Sequence, residues 1–385
     1  MCDVIVIGCG LSGMVIAREQ AERGKKVKIV DRRDHIGGNI YDYVDENGVL
    51  VQKYGPHLFF TDNPSIKEYI TRFLPVYSFY PECRTYIEGK PIPMPFNFES
   101  IRLLYGDSLQ AKRLKDDLIE EFGLNAVVAV TDLLDSNNDS VRNYGKYMYE
   151  HEYRKYSAKQ WGKPIEEIDP SVFKRVPVYI SNKKPYLNQK YQFMPIGGFT
   201  ELSRKLIEHV NITVELSTEA ISHIILDKDK VFYDDFSGPI VYTGPLDTLF
   251  QYKYGRLPYR ALEFTWKKIP KKHTLETPLS AFPEGDKYIR ITDYTQFPPQ
   301  DCGDNAIIAI EYPLEYRPDE LCGNEPYYPT LTEESRKINE KYQKQVKRYT
   351  NLYTCGRLAD FKYYNMDAVI LRALQVAKEL GDEWK

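Results

Sequence analysis

The chain opens on an unbroken apolar run, Val4-Ile5-Val6-Ile7, followed by Gly8-Cys9-Gly10-Leu11-Ser12-Gly13. A short run without polar alternation, closed by glycines, predicts a strand over 2–7 buried on both faces, as in a parallel sheet. Met14 to Arg23 reads as a helix, and Val27 to Val30 as a second strand ending on Asp31. Farther on, Glu88-Gly89-Lys90 predicts the turn of a hairpin over Tyr86 to Met94, and Pro91, Pro93 and Pro95 keep that stretch out of a helix or a sheet centre. The period then changes. Leu114, Leu118, Ile119 and Phe122, then Val127, Val130, Leu133 and Leu134, recur near helical spacing, and Val141 to Tyr156 predicts another helix. Strand signals return at 176–180, 212–216, 221–226, 230–233, 241–245, 260–266, 288–292 and 306–312. The end reads as a strand and turn over 352–358 and a helix over 366–380.

These elements predict an α/β protein of three units. A discontinuous Rossmann-like domain takes 1–97, 235–275 and 340–385, an inserted helical domain takes 98–170, and a mixed or antiparallel sheet domain takes 171–234 and 276–339.

The glycine turn carries the first chemistry. Gly8, Gly10 and Gly13 permit a tight turn, close backbone approach to a pyrophosphate, and close helix packing, while the helix N-terminus offers positive dipole. Asp31 lies about 20 residues on, where an acid accepts the ribose hydroxyls of a dinucleotide. The following Asp31-x-Arg33-x-x-x-Gly37-Gly38-Asn39 element resembles the second glycine motif of FAD-binding proteins, so FAD is expected rather than NAD.

Composition narrows the partners. Lysine and arginine total 52 against 55 acids, which gives no electrostatic case for nucleic acid or a membrane surface, so the expected partner is small. The 32 tyrosines, each a flat face with a hydroxyl, suit sugar and base recognition. Six cysteines without a CxxC and six histidines without ligand spacing argue against structural disulfides and a metal site. No segment has membrane length, and the opening apolar run lacks a basic flank, so a cytoplasmic protein is expected.

Tyr54-Gly55-Pro56-His57, Lys159-Gln160-Trp161-Gly162, Tyr242-Thr243-Gly244-Pro245-Leu246-Asp247, Tyr254-Gly255-Arg256-Leu257-Pro258-Tyr259-Arg260, Pro326-Tyr327-Tyr328-Pro329 and Gly356-Arg357-Leu358 stand in order along nearly the whole chain. Together they closely resemble UDP-galactopyranose mutase. The resemblance implies an FAD enzyme, active in the reduced form and supplied by NAD(P)H or another reductant. It interconverts pyranose and furanose forms of a nucleotide-linked hexose for polysaccharide biosynthesis, N5 of the flavin attacking the anomeric carbon, and it implies a homodimer. Arg290 then matches the arginine that holds the diphosphate, and His57, Tyr327 and Tyr363 complete the expected catalytic set. Gly8, Gly10, Ser12, Gly13, Asp31, Arg32, Gly38, Asn39, His57, Leu58, Arg357 and Met366 are the expected cofactor contacts. Tyr153, Tyr156, Ser157, Trp161, Tyr179, Tyr186 and Asn365, with Arg290, Tyr327 and Tyr363, are the expected substrate contacts.

Three departures from the family pattern bear on the sugar. A second histidine becomes Phe60, a loop arginine becomes Tyr179 with Lys183 and Lys184 following, and an aspartate becomes Asn365. A pocket with fewer polar partners favours a sugar with fewer hydroxyls, so a 6-deoxy substrate such as dTDP-fucopyranose stands beside UDP-galactose. Two other classes compete: FAD amine oxidases or desaturases, which share the opening motifs, and GDP-dissociation-inhibitor-like proteins, which resemble this fold but act as binding modules.

Overall fold

The computed structural model describes residues 2–167, 176–285, 287–318 and 325–382. Its two main sheets use strands β1 (Val4–Ile7), β2 (Val27–Val30), β3 (Cys83–Ile87), β4 (Lys90–Met94), β5 (Ile212–Glu215), β6 (Ile240–Tyr242), β7 (Tyr259–Pro270), β8 (Leu279–Ala281), β9 (Arg290–Asp293), β10 (Asn305–Glu315), β11 (Tyr328–Pro329) and β12 (Leu352–Thr354).

The first sheet is parallel, in the order β5-β2-β1-β6-β12. All four residues of β1 are buried, as its continuous apolar run requires of a central parallel strand. Helix α1 (Leu11–Glu22) lies against this sheet, sandwiched by α7 (Phe199–Ile207) and α8 (Met366–Asp382), so both ends of the chain share one core.

The second sheet, β11-β7-β10-β9-β8-β3-β4, is antiparallel except between β8 and β3. Pro91 and Pro93 lie in β4, and it is an edge strand, where a missing N–H costs no ladder bond. Helices α2 (Phe98–Tyr105), α3 (Leu109–Phe122), α4 (Val130–Leu134), α5 (Asp139–Met148) and α6 (Arg154–Trp161) form the inserted layer with its own core around Leu114, Leu118, Val141 and Tyr144. Between α5 and α6 the helix is continuous but takes one π turn, Tyr149–Tyr153.

Strand pairing regroups several segments. Ile212–Glu215, expected in the sheet domain, pairs parallel with β2 in the first sheet. The hairpin 83–94 and β7, expected with the Rossmann-like domain, belong instead to the second sheet. Residues 224–233 make a separate two-stranded hairpin, and the expected strand at 176–180 shortens to Val178–Tyr179, paired with Val127–Val128. Strand membership depends on a distant partner, which neighbouring sequence does not carry. The expected boundary at 170/171 lies outside the described residues.

Candidate functional site

The end of β1, the Gly8–Gly13 turn and the N-terminus of α1 form one wall of a cleft of about 400 Å³. Gly10 is the N-cap and makes no side-chain cap, so the first N–H groups of α1 keep no intrahelical acceptor on the cleft side. A Cβ at Gly10 would meet nothing within 4 Å, whereas one at Gly13 would lie 2.0 Å from Gly8 O. One glycine thus leaves room for a ligand and the other lets the helix seat on the turn. Gly37 bridges to Gly10, which brings the second glycine motif onto the first.

Asp31 is fixed at the rim, accepting from Cys9 N at 2.6 Å and Arg33 N at 2.9 Å. Arg33 donates to Asn39 Oδ1 at 2.8 Å and to Glu325 Oε2 at 2.9 Å, and lies over the Tyr54 ring. Arg32 reaches the same Glu325 carboxylate. Arg33 and Glu325 both line the cleft and are absent from the expected contacts. Arg33 was visible within its motif, while nothing local marked Glu325. Gly8, Gly10, Ser12, Asp31, Arg32, Gly38, Asn39, His57, Arg357 and Met366 line the cleft as well. Gly13 and Leu58 do not: Gly13 packs against the turn, and Leu58 is buried in the core. An open glycine cradle, a free helix N-terminus and an oriented acid fit a dinucleotide cofactor.

A cluster of tyrosines with Trp161, Arg290 and Arg357, here termed the tyrosine chamber, adjoins this cleft. Arg357 is shared, donating to Tyr327 O at 3.2 Å and Tyr364 O at 2.7 Å while its guanidinium lies 5.0–5.8 Å from the rings of Tyr327, Tyr328 and Tyr363. Tyr328 stacks on Tyr363 at 4.9 Å, and Trp161, from the end of α6, lies 6.3 Å from both. The Trp161 Nε1 is buried without a hydrogen-bond partner.

Arg290 enters from β9. Its Nε and Nη2 donate to Glu311 Oε2 at 3.0 and 2.6 Å, across the register pair β9–β10. Burial works against the Arg290 charge, but Glu311, then Tyr156 and Tyr328, outweigh it and hold the guanidinium charged above its ordinary range. Glu311, only 3% exposed, has no motif around it, and its signal is the pairing itself.

His57 is half-buried here. Nδ1 lies 2.8 Å from Gly55 O and Nε2 lies 3.1 Å from the Tyr327 hydroxyl. The carbonyl assigns the proton to Nδ1, leaving Nε2 an acceptor. Burial, then Arg357, pushes the imidazole down to about 4, so it is neutral near pH 7. Tyr327 also contacts Tyr54 O, so its one proton serves Tyr54 O or His57 in turn.

Tyr156 and Ser157 lie on α6, Tyr156 beside Arg290 and Glu311. Tyr186 packs at the edge of the main core, and Asn365 precedes α8, its carbonyl accepting from Val369 N. Two expected contacts are occupied by packing. Tyr153 donates to Val176 O within the helical core, and Tyr179 is 1% exposed, donates to Pro185 O and carries Lys183 over its ring. Among the described residues no His, Cys, Asp and Glu group could hold a metal, and no helix is long and apolar enough to cross a membrane.

The cleft and its parallel sheet define a Rossmann-type cofactor protein: residues 6–73 match the NAD(P)-binding Rossmann-like domain. The fold is shared with a putative protoporphyrinogen oxidase from Exiguobacterium (TM-score 0.63, 11% identity, 99% of this chain and 98% of that one). Residues 152–363 match UDP-galactopyranose mutase. A probable UDP-galactopyranose mutase of Klebsiella pneumoniae is 32% identical over 98% of this chain and 94% of its own length. A dTDP-fucopyranose mutase of Escherichia coli is 30% identical over 98% of each. A crystal structure of reduced UDP-galactopyranose mutase superposes with a TM-score of 0.74 at 18% identity, covering 100% of this chain and 94% of that one. The chain belongs to the UDP-galactopyranose mutase family, and its class is that of nucleotide-sugar pyranose/furanose isomerases with a flavin cofactor.

Proposed function

We propose that the chain interconverts pyranose and furanose forms of a pyrimidine-diphosphate hexose, with UDP-galactose and a dTDP-linked 6-deoxy hexose as the two candidates. The observation that carries this is the shared wall: Arg357 lines the cofactor cleft and also faces three tyrosine rings of the chamber. A sugar held in the chamber therefore lies against the cofactor. When bound in its reduced form the flavin supplies the nucleophile that no side chain here provides.

The side chains supply position and charge. Arg290 presents a fixed cation to the diphosphate, and Glu311 holds the guanidinium plane in place. A leaving nucleotide stays paired to Arg290 while the ring opens, ready for recapture. Tyr156, Tyr328, Tyr363 and Trp161 offer flat faces and exclude water, which strengthens that pairing. Neutral His57 accepts a hydrogen bond at Nε2 from the Tyr327 hydroxyl, which fixes the orientation of both side chains.

Phe60 and Asn365 remove charge relative to the family pattern, which supports the 6-deoxy reading, whereas Tyr179 is packed away from the sugar. The relative with dTDP-fucopyranose in its name covers the chain as fully as the galactose one, which keeps both candidates in play. A lost polar partner is worth about 1–3 kcal/mol, so the preferred sugar should win by about tenfold or more. The test is kcat/KM for pyranose formation by dithionite-reduced enzyme from UDP-galactofuranose and from dTDP-fucofuranose, and failure on both refutes the proposal. NAD(P)H as electron source and a homodimer complete the reading, checked by flavin bleaching and by sedimentation.

A further inference from the structure

Glu152 is a buried acid that no step above uses. It is 1% exposed, and it sits on the π turn that joins α5 to α6. One carboxyl oxygen accepts from the Thr85 hydroxyl of β3, and the other, equally buried, has no partner. π turns recur at functional sites, and a buried unpaired polar atom costs stability unless something is gained elsewhere.

The location shows what is gained. Thr85, Ala281, Arg290 and Glu311 are register neighbours on β3, β8, β9 and β10, so they form one row on one face of the sheet. Strands lie about 4.8 Å apart, which sets Thr85 about 10 Å from Arg290 along the row. The helix runs over that row, Glu152 above Thr85 and, one turn on, Tyr156 beside Arg290. Farther along, Lys159 Nζ donates to Phe282 O and Tyr288 O, and Arg260 holds Gln160 O. Glu152 is the buried anchor at the start of this seat.

We propose that Glu152, through its buried contact with Thr85, is a positioning residue that seats the helix bearing Tyr156, Ser157 and Trp161 on the sheet. This rests on the nucleotide-sugar reading only for its consequence in binding. Burial raises the carboxyl from its ordinary 4.5 to about 8, with the Thr85 bond and Lys159 opposing and Glu284 adding to the rise. The seated helix therefore holds a proton that the released helix gives up, so seating is strongest below about 4.5. It weakens about tenfold per pH unit up to 8, then levels off. The other titratable groups facing Glu152 are Cys83 on β3, Glu284 on the β8–β9 loop, and Tyr153, Tyr156 and Lys159 on its own helix. His151 and Lys155 face Glu284.

The test is hydrogen exchange of residues 149–161 in the FAD-loaded enzyme, as protection factors from pH 5.5 to 8. Wild type should lose about tenfold per unit, and Glu152→Gln, which keeps every other group, should lose the slope. Thr85→Val should lower protection at each pH with the slope retained. Equal slopes in wild type and Glu152→Gln, or full protection in Thr85→Val, would overturn the seat. Separately, Glu152→Ala should bind UDP and dTDP about tenfold more weakly at pH 7 while retaining FAD, and undiminished binding would overturn the positioning role. If wild type bound neither nucleotide, the substrate reading would fail while the exchange result still decided the seat.

Discussion

The cofactor cleft and the tyrosine chamber share Arg357 but are built by opposite means. The cleft is largely backbone: a glycine turn, a helix N-terminus and an acid held by two N–H groups, nearly all within the first 39 residues. The chamber is side chain throughout, with Trp161 and Tyr156 from α6, Arg290 and Glu311 from adjacent strands, Tyr327 and Tyr328 from β11 and its approach, and Tyr363 from the segment before α8. A backbone cradle tolerates many side chains but no added Cβ where the chain crosses itself. A side-chain chamber tolerates backbone drift, but changes its ligand with single substitutions. The cofactor is therefore the conservative part of the function and the sugar the adjustable part.

The largest effect that would sharpen this contrast is at Arg290. Arg290→Ala leaves Glu311 buried without its cation, and breaking such a pair costs about 3–5 kcal/mol. Steady-state kinetics should show kcat/KM falling about a thousandfold with the flavin spectrum intact, and a fall below tenfold would remove Arg290 from the chamber. Next comes His57. Its imidazole titrates near 4 when folded against about 6.5 when unfolded, so its contribution to stability is present above 6.5 and is lost as pH falls toward 4. Denaturant unfolding at pH 4.5 and 7 should show wild type losing on the order of 2–3 kcal/mol more than His57→Asn. Equal losses would mean the imidazole is not held neutral. The smallest effect is Gly13→Ala, whose methyl would press on Gly8 O. Overpacking costs about 1–3 kcal/mol, so FAD affinity should fall between about fivefold and a hundredfold. Unchanged flavin content would show that the cradle yields.

The same contrast explains what the sequence reveals. The strand-turn-helix-strand unit, Asp31 and the proline-rich edge strand are local patterns, and each is legible where it stands. Glu311 is not, because its role appears only when β10 pairs with β9, and Glu325 comes to Arg33 across 292 positions. Ile212–Glu215 has a strand's composition, but its sheet is chosen by β2. Tyr179 and Tyr153 carry the residue type a sugar site favours, yet their hydroxyls are taken by Pro185 O and Val176 O. Glu152 sits in an ordinary-looking helical stretch, and its burial becomes apparent only beside Thr85.

The proposed reaction is a redox-neutral isomerisation that needs a reduced cofactor and a chamber for a sugar nucleotide. Its most direct test compares oxidised and dithionite-reduced enzyme on the preferred furanose substrate, with turnovers counted per flavin reduced. Conversion should occur only after reduction, with many turnovers for each reduction. Conversion by the oxidised enzyme, or one reductant consumed for each product formed, would contradict it.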